Sequence, residues 1–230
     1  MAKRSNVTAV KKSALPKTAT YQNKKKTTRK EIARTLIANE ISDSGVNHGI
    51  IPCLSAEKWE TERKIAKNKN NDFTFWSFEV EPIIYDKTVK NGQLIPFSKK
   101  PCYFFSHIGE MLMKFKSDSF AHILLDYCKG IENYLTELEY ILNNDIIGVN
   151  GIVACTFNLR GKSFEYKRFL NDMNTINTPS DKYKDNDSKT EHAIRTFFMI
   201  NNTRKNYRIG KSFNYRDGMP MMLLFIHRIK

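Results

Sequence analysis

The chain has 230 residues, and its 40% hydrophobic content, with fifteen phenylalanines, is enough for a sizeable core. A net charge of +14 and a pI near 9.6 make it strongly basic, which favours polyanionic partners such as nucleic acid or an acidic membrane surface. The longest apolar run near either end, Met219 to Ile226, has only eight residues and cannot span a bilayer. We therefore expect a soluble, intracellular protein with no membrane insertion.

The first 30 residues differ in composition from the rest. They hold ten of the 38 Lys and Arg residues and no Asp or Glu, whereas residues 31–230 hold 28 basic and 24 acidic residues. Since small and polar residues fill the gaps between the charges, we predict a disordered basic arm over residues 1–30 and a single globular domain over residues 31–230. If all ten charges met phosphates, the slope of the salt dependence would approach about −9. A solubilising tail or a nuclear-entry signal would have the same composition.

Helix and strand patterns follow the arm. Thr28 and Glu31 have the spacing of a capping box, which predicts a helix over residues 28–41. Residues 73–85 are aromatic and alternating, as is typical of a strand, and Pro82 places the end of this strand at a sheet edge or a bend. Further short elements are predicted as a helix over residues 57–67 and a strand over residues 103–108.

The longest periodic pattern runs from Ser117 to Asn143. Apolar residues recur there at spacings of three and four, which predicts one long amphipathic helix. Ser117 is placed to cap its start, and the polar residues from Asn143 to Asp145 supply a stop. Residues 136–142 also alternate as a strand would, so a strand in this part is the alternative.

The last third mixes strand, helix and loop patterns. Residues 146–159 are a strand candidate broken by two glycines, and residues 163–173 predict a short helix. Residues 174–191 are polar and rich in turn residues, so we expect an exposed loop. Closing strands are predicted over residues 195–200 and 220–229, with Asp217-Gly218 as a hairpin turn before the last strand.

These patterns together predict an α+β fold. An antiparallel sheet made from the aromatic strands would be backed by the long amphipathic helix. An all-β jelly roll is the alternative, and it would need the strand interpretation of residues 136–142.

A second basic segment lies near the end of the chain, at residues 203–216. Cations and aromatic rings interleave there with no acid between them. Because cations bind the phosphate chain while rings stack on unpaired bases, this mixture predicts binding of single-stranded nucleic acid. An exposed hairpin whose rings pack inward is the alternative. With the arm, the segment gives these candidate nucleic-acid-binding residues: Lys3, Arg4, Lys11, Lys12, Lys24, Lys25, Lys26, Arg29, Lys30, Arg204, Lys205, Tyr207, Arg208, Lys211, Phe213, Tyr215 and Arg216.

Asp145, Glu165 and Lys167 are candidate catalytic residues of a magnesium-dependent nuclease. Many such enzymes place an aspartate and then Glu-x-Lys on neighbouring strands, where the carboxylates hold Mg²⁺ and the lysine steadies the attacking water. The helical pattern around Glu165 argues against this arrangement, and an enzyme is the less favoured interpretation. Outside this alternative we expect no cofactor and no metal site, because the histidines are scattered and the cysteines never form C-x-x-C.

The last third also resembles the C-terminal part of geminivirus-type coat proteins, which belong to small circular single-stranded DNA viruses. The likeness has gaps and is carried by Phe169, Asn171, Asp172, Met173, Asn177, Pro179, Ser180, Phe197, Phe198, Ile200, Asn201, Asn202, Tyr207, Leu223 and Leu224. The basic arm is similar to theirs in place and character. The resemblance implies a jelly roll whose arm and inward basic residues bind the genome, with Arg204, Lys205, Arg208 and Lys211 as inward-facing candidates.

The function predicted from these observations is nucleic-acid binding, in its most specific form by a self-assembling viral coat or genome-packaging protein. The expected partners are nucleic acid, with single-stranded DNA favoured, and further copies of the chain in a homo-oligomer. The virion or the host nucleus would be its location. The nuclease and a non-catalytic accessory protein of DNA replication or recombination are the alternatives.

Overall fold

The computed structural model describes residues 28–127, 129–161, 163–176 and 185–230. The helices of these residues are α1 Arg29–Asp43, α2 Glu60–Ala66, α3 Pro82–Gln93, α4 Ile108–Leu112, α5 Leu135–Asn144, α6 Phe164–Ile176 and α7 Asn186–Asn201. The strands are β1 His48–Cys53, β2 Asp72–Glu79, β3 Cys102–Phe105, β4 Ile123–Asp126, β5 Ile152–Asn158, β6 Tyr207–Asp217 and β7 Met219–Arg228. A 3₁₀ turn at Ile131–Asn133 precedes α5.

All seven strands of the described residues belong to one sheet, in the order β3-β2-β1-β4-β5-β7-β6. The first five of these neighbours run parallel, and β7 lies antiparallel between β5 and β6. The chain moves outward from β1 to β3 and then returns to place β4 on the other side of β1. The strand order therefore reverses between β1 and β4.

Helices cover both faces of the sheet. Ala33, Ile37 and Ile41 of α1 pack with Trp59 and with Ile65 of α2 in the core on one face. The core on the opposite face contains apolar side chains of α4, α5, α6 and α7. Two covered faces are typical of α/β proteins with parallel strands, which are buried on both sides.

The predicted mixture of helices and strands is confirmed, but the antiparallel sheet and the jelly roll are wrong. Five neighbouring strands are parallel, and helices rather than a second sheet complete the core. The antiparallel pattern holds for the β6–β7 hairpin and for the pair β5 and β7.

The predicted helix over residues 117–143 is also wrong. Its first half contains β4, and only Leu135–Asn144 is α-helical. Residues 121–125 are all buried, because a central parallel strand has no solvent face, and such a continuous apolar run also fits a helical repeat. Gly130 and the 3₁₀ turn then separate strand from helix.

Other predicted elements have mixed outcomes. The helix at residues 28–41 is confirmed as α1, and the Thr28 hydroxyl accepts a hydrogen bond from the Glu31 backbone amide at 3.2 Å. Pro82 occupies the first turn of α3 instead of a sheet edge, and the predicted strand over residues 195–200 lies within α7. The expected loop over residues 174–191 is helical at both ends, and its residues 177–184 lie outside the described part of the chain.

The hairpin turn at Asp217-Gly218 is confirmed. Gly218 has φ +71° between β6 and β7, a backbone conformation that glycine adopts without strain. Within the described ranges, none of the helices combines the length and apolar character that a bilayer crossing requires.

Candidate active site at the carboxyl edge of the sheet

A cleft of about 540 Å³ opens where the parallel strands end, beside the reversal of strand order. Residues that follow four strands meet in it, because the carboxyl ends of parallel strands lie at one edge of the sheet. Open α/β sheets bind ligands in this crevice. We call it the carboxyl-edge cleft, and its lining includes Leu54 after β1, Glu79 and Val80 at the end of β2, Ser106 and His107 after β3, and Asp126 and Tyr127 at the end of β4.

Glu79 is held in a fixed orientation at the rim of the cleft. Its Oε1 accepts hydrogen bonds from the backbone amides of Val80 at 2.8 Å and Glu81 at 2.9 Å. Its Oε2 has no hydrogen-bond partner among the described residues. One oxygen thus positions the carboxylate, and the other can accept a bond from a ligand in the cleft.

Ser106 brings an unsatisfied hydroxyl to the same cleft. Its Oγ is buried and makes no hydrogen bond within the described part of the protein. A buried polar group without a partner lowers stability, so such groups are rare unless a ligand or water satisfies them. Ser106 is therefore suited to bind a polar group of a ligand.

Tyr127 and Glu137 form a hydrogen-bonded pair on another wall of the cleft. The Tyr127 hydroxyl donates to Glu137 Oε1, and the Tyr127 ring stacks on Tyr134 with ring centroids 3.5 Å apart. Burial raises the pKa of Glu137, although the bond from Tyr127 and the proximity of His107 counteract this rise. Burial and the Glu137 carboxylate raise the pKa of Tyr127 well above its ordinary value, so the phenol stays protonated.

Asp126 stands where the cleft meets a second, narrower cavity. The Thr156 hydroxyl of β5 donates to Asp126 Oδ1 at 2.5 Å. The second cavity, of about 40 Å³, lies between α1 and the sheet, and we call it the inner slot. Its lining includes Lys30, Arg34, Leu54, Glu60, Glu62, Asp126, Thr156 and Tyr215.

Glu62 is a buried carboxyl on the wall of the inner slot. It is 3% exposed, and its Oε1 accepts a hydrogen bond from the Ser55 hydroxyl at 3.0 Å. Burial raises the pKa of Glu62 to about 7, and the neighbouring Asp126 carboxylate adds to the rise. The segment from Leu54 to Trp59, which joins β1 to α2, contains no glycine.

The predicted nuclease residues do not come together. Asp145 caps the C-terminus of α5 near the start of β5, and it is bound by Arg204 at 3.2 Å and Asn206 at 2.9 Å. Glu165 and Lys167 lie in the first turn of α6, which follows the end of β5 at the opposite edge of the sheet. In the described ranges, no three His, Cys, Asp or Glu side chains are grouped so that they could hold a metal ion.

The predicted basic and aromatic segment is divided between the two edges of the sheet. Tyr207 pairs with Arg228 at the amino edge, whereas Arg216 pairs with Pro220 beside the hairpin turn at the carboxyl edge. Tyr207 is 4% exposed and Tyr215 is 6% exposed, so both rings belong to the core and cannot stack on bases. Phe213 is half-buried, and Lys205, Arg208 and Lys211 are exposed.

The arm residues Lys3, Arg4, Lys11, Lys12, Lys24, Lys25 and Lys26 lie outside the described residues. Arg29 and Lys30 are the first residues of α1, where Lys30 binds Asp217 of the hairpin at 2.5 Å. The arm therefore joins the described part of the protein at the carboxyl edge. Contact of all these residues with nucleic acid stays a prediction.

Sequence reasoning missed the residues that line the cleft. Asp126 follows three buried residues at the end of β4, and Glu79 ends β2, in which buried residues largely alternate with half-buried ones. Acids at the ends of these two strands are the signal that could identify them. The helical pattern over residues 117–143 hides the signal for Asp126, and the predicted strand over residues 73–85 runs past Glu79, where β2 ends. Ser106 and Glu137 have no comparable signal, since their position depends on how α4 and α5 pack.

No protein-family model matches the chain, and no curated protein matches its sequence. The solved structures that share its fold include three with 10% sequence identity. A protein assigned as an rRNA methylase from Clostridium thermocellum aligns over 85% of this chain and 96% of its own, with a TM-score of 0.53. A protein assigned as an O-methyltransferase from Klebsiella pneumoniae aligns over 86% and 80%, with a TM-score of 0.55. A cofactor-bound protein from MTB aligns over 86% and 79%, with a TM-score of 0.54.

This likeness corrects the predicted family and function. The coat-protein resemblance is wrong, and with it the capsid and the virion, because the chain has the fold of assigned methyltransferases and not a jelly roll. The nuclease is wrong as well, because Asp145 lies apart from Glu165 and Lys167 and the described residues hold no group of side chains that could bind a metal ion. The homo-oligomer and the preference for single-stranded DNA stay predictions.

Proposed function

We propose that the protein is a methyltransferase that uses S-adenosylmethionine. The observation that carries this proposal is the carboxyl-edge cleft, where Glu79 and Asp126 end two strands on either side of the order reversal. The fold shared with assigned methyltransferases supports it. The prediction that the protein needs no cofactor is replaced accordingly.

The residues of the cleft fit the adenosine part of this cofactor. A carboxylate with one free oxygen, as Glu79 has, can accept hydrogen bonds from a ribose diol, and the unsatisfied Ser106 hydroxyl can bond a ring or ribose heteroatom. Val80, Ile108 and Met113 supply apolar surface for a base. The cleft volume of about 540 Å³ is in the range of sites for small ligands.

The negative charge of the cleft also fits S-adenosylmethionine. Four carboxyl side chains line it, those of Glu79, Glu110, Asp126 and Glu137, against one lysine, Lys129. S-adenosylmethionine, when bound, supplies a methyl group on a positively charged sulfur and carries an ammonium group, and negative surroundings favour both charges. The segment after β1 differs from glycine-rich nucleotide-binding loops, so binding would rest on side chains more than on a backbone cradle.

Asp126 is the residue best placed to serve the acceptor. Transfer of a methyl group to an oxygen or nitrogen of the acceptor releases a proton, which a nearby base must accept. Asp126 is exposed where the cleft and the inner slot meet, and the bond from Thr156 fixes its carboxylate. Tyr127 stays protonated and cannot act as a base at neutral pH, so its role would be to shape the wall of the cleft.

Calorimetric titration with S-adenosylhomocysteine tests the proposal. Wild-type protein should bind it, and Glu79→Gln should weaken binding at least tenfold, because the variant loses the negative acceptor that faces the ribose. Glu81→Gln is the matched control, since it removes the same charge two residues away from a side chain that does not line the cleft. Absence of binding by the wild type, or an equal loss in both variants, would contradict the proposal.

A further inference from the structure

We propose that the methyl acceptor is a nucleic acid, and that it reaches Asp126 over the rim formed by the start of α1 and the β6–β7 turn. This inference rests on the proposed function and names the substrate class of that same site. We call this surface the basic rim and define it by Arg29, Lys30 and Arg216. The basic arm joins the protein at Thr28, directly beside it.

The start of α1 carries cations where helix physics disfavours them. The amino end of a helix has a partial positive charge, so acidic residues are stabilising there and cations are destabilising. Arg29 and Lys30 nevertheless open α1, with only Glu31 as an acid in the first turn. Lys30 is compensated by Asp217, whereas Arg29 is exposed and makes no ion pair with any described residue. A polyanion bound at this rim would supply the missing negative charge.

The hairpin brings a third cation to the same place. The register of β6 and β7 puts Arg216 next to the turn, one residue before the Asp217 that binds Lys30. Arg216 is exposed and forms no ion pair within the described part of the chain. The rim therefore presents two uncompensated guanidinium groups, which are well suited to phosphate.

The rim leads to the catalytic aspartate. Lys30 and Tyr215 line the inner slot, as does Asp126, so one cavity connects the rim to the proposed base.

Lys205 and Arg208 at the amino edge are also exposed without an ion pair among the described residues, but neither lines a cavity that contains Asp126. Arg204 is paired with Asp145, and Arg228 is paired with Asp118.

An anionic membrane is the other partner that positive charge would fit. It is disfavoured because the apolar residues Ala33, Ile37 and Ile41 of α1 are buried against the sheet and cannot enter a lipid interface.

Fluorescence anisotropy with a labelled single-stranded RNA and its DNA equivalent tests the inference on full-length protein. Arg29→Gln combined with Arg216→Gln should weaken binding at least fivefold and flatten the salt slope by about 1.4, since each lost contact to a single strand removes about 0.7. Lys205→Gln combined with Arg208→Gln is the matched control at the amino edge and should bind as the wild type does. Replacing Lys24, Lys25 and Lys26 by Gln should add to the first effect.

Titration with S-adenosylhomocysteine separates this inference from the proposed function. Both double variants should bind it as the wild type does, because neither pair lines the carboxyl-edge cleft. If the cofactor product binds but nucleic acid does not, or if both double variants lose nucleic acid equally, the inference is overturned and the methyltransferase stands. Binding to phosphatidylserine vesicles in place of RNA and DNA would overturn it in favour of a membrane. If nucleic acid binds at the rim and the cofactor product does not bind at all, the proposed function fails, and with it the claim of an acceptor.

Discussion

The Ser55 hydroxyl donates a hydrogen bond to Glu62 Oε1 at 3.0 Å inside the segment that leads from β1 into α2. The same hydroxyl lies 3.0 Å from the thiol of Cys53. In this part of the fold, glycine-rich loops let the backbone approach a nucleotide. This chain instead uses a buried polar cluster beside the inner slot.

Glu62 gives a prediction on stability and pH. Its pKa of about 7 in the folded protein lies above the ordinary value of 4.5, so folding favours the protonated form. The free energy of unfolding should fall by about 3 kcal/mol at most as the pH rises from 4.5 to 7. It should stay at that lower value above pH 7. Glu62→Gln keeps an acceptor for Ser55 and should be more stable than the wild type at pH 8 by up to about 3 kcal/mol.

Urea unfolding at pH 5 and pH 8 checks this prediction. The advantage of Glu62→Gln over the wild type should be below about 1 kcal/mol at pH 5, because most of the pH-dependent loss of the wild type occurs between pH 5 and pH 7. Glu60→Gln is the control, since that carboxylate lies two residues away and is partly exposed in its ion pair with Arg34. A Glu62→Gln variant less stable than the wild type at pH 8 would show that the charged form is stabilising.

His122 should make the protein less stable at low pH, which is the opposite of the pH dependence expected from Glu62. Its Nδ1 accepts from the Ile152 backbone amide at 3.1 Å, and its Nε2 lies 3.2 Å from the Val46 carbonyl, so the ring is neutral with its proton on Nε2. Burial lowers the pKa of His122 to about 4. Because the folded pKa is below the unfolded value of 6.5, stability should be lost as the pH falls from 6.5 to 4.

His122→Ala tests that relationship. The substitution leaves the Ile152 amide and the Val46 carbonyl without a partner, so we expect a loss of about 3 kcal/mol at pH 7. The difference from the wild type should shrink by about 2 kcal/mol at pH 4.5, where the wild type has already lost part of its stability. The exposed His48 supplies the control variant His48→Ala, which should change little at either pH.

Arg228 should be a main determinant of stability at the amino edge. Its Nη1 donates to the Asp145 carbonyl at 2.9 Å and to the Ile147 carbonyl, and pairs with Asp118 at 2.5 Å. Arg228→Met should lower the free energy of unfolding by about 3 kcal/mol, since it leaves buried carbonyls unsatisfied. Arg204→Met removes a largely exposed guanidinium from the buried Asp145 carboxylate and should cost less than Arg228→Met in the same measurement, because Asn206 still donates to Asp145 Oδ2.

Asp126 gives the prediction on catalysis. Asp126→Asn keeps an acceptor for Thr156 but cannot take a proton, so methyl transfer to nucleic acid should fall by about 10² to 10⁴. Affinity for S-adenosylhomocysteine should change much less. Transfer of a labelled methyl group checks the rate, and the exposed Asp86 of α3 provides the control Asp86→Asn. Full activity of Asp126→Asn would remove the aspartate from its proposed role.

Local signals predicted the ends of the chain better than its centre. Thr28 and Glu31 identified the start of α1, and Asp217-Gly218 identified the hairpin, because capping and turn residues act through the nearest backbone groups. The helix predicted across residues 121–125 is wrong because these residues include β4, and a strand that is buried on both faces lacks the alternation by which strands are recognised. The sequence patterns also do not reveal the parallel sheet, because parallel pairing joins segments that are far apart in sequence.

The site was harder to predict than the fold. The sequence shows Glu79 and Asp126 as two acids among 24, and only the return of β4 to the side of β1 brings them to one cleft. The basic segment at residues 203–216 had the opposite difficulty. Its pattern was clear, but an extended strand of this length separates its two ends by roughly 30 Å.

The position of β7 has a consequence for synthesis. β5 receives one of its two neighbours from residues 219–228, which leave the ribosome after every other strand of the sheet has been made. Until then, a long apolar strand has an unpaired edge and is open to association with other nascent chains. A premature stop between the end of β5 and Met219 would make that exposure permanent, so such shortened products should aggregate even though they contain the whole proposed cofactor cleft.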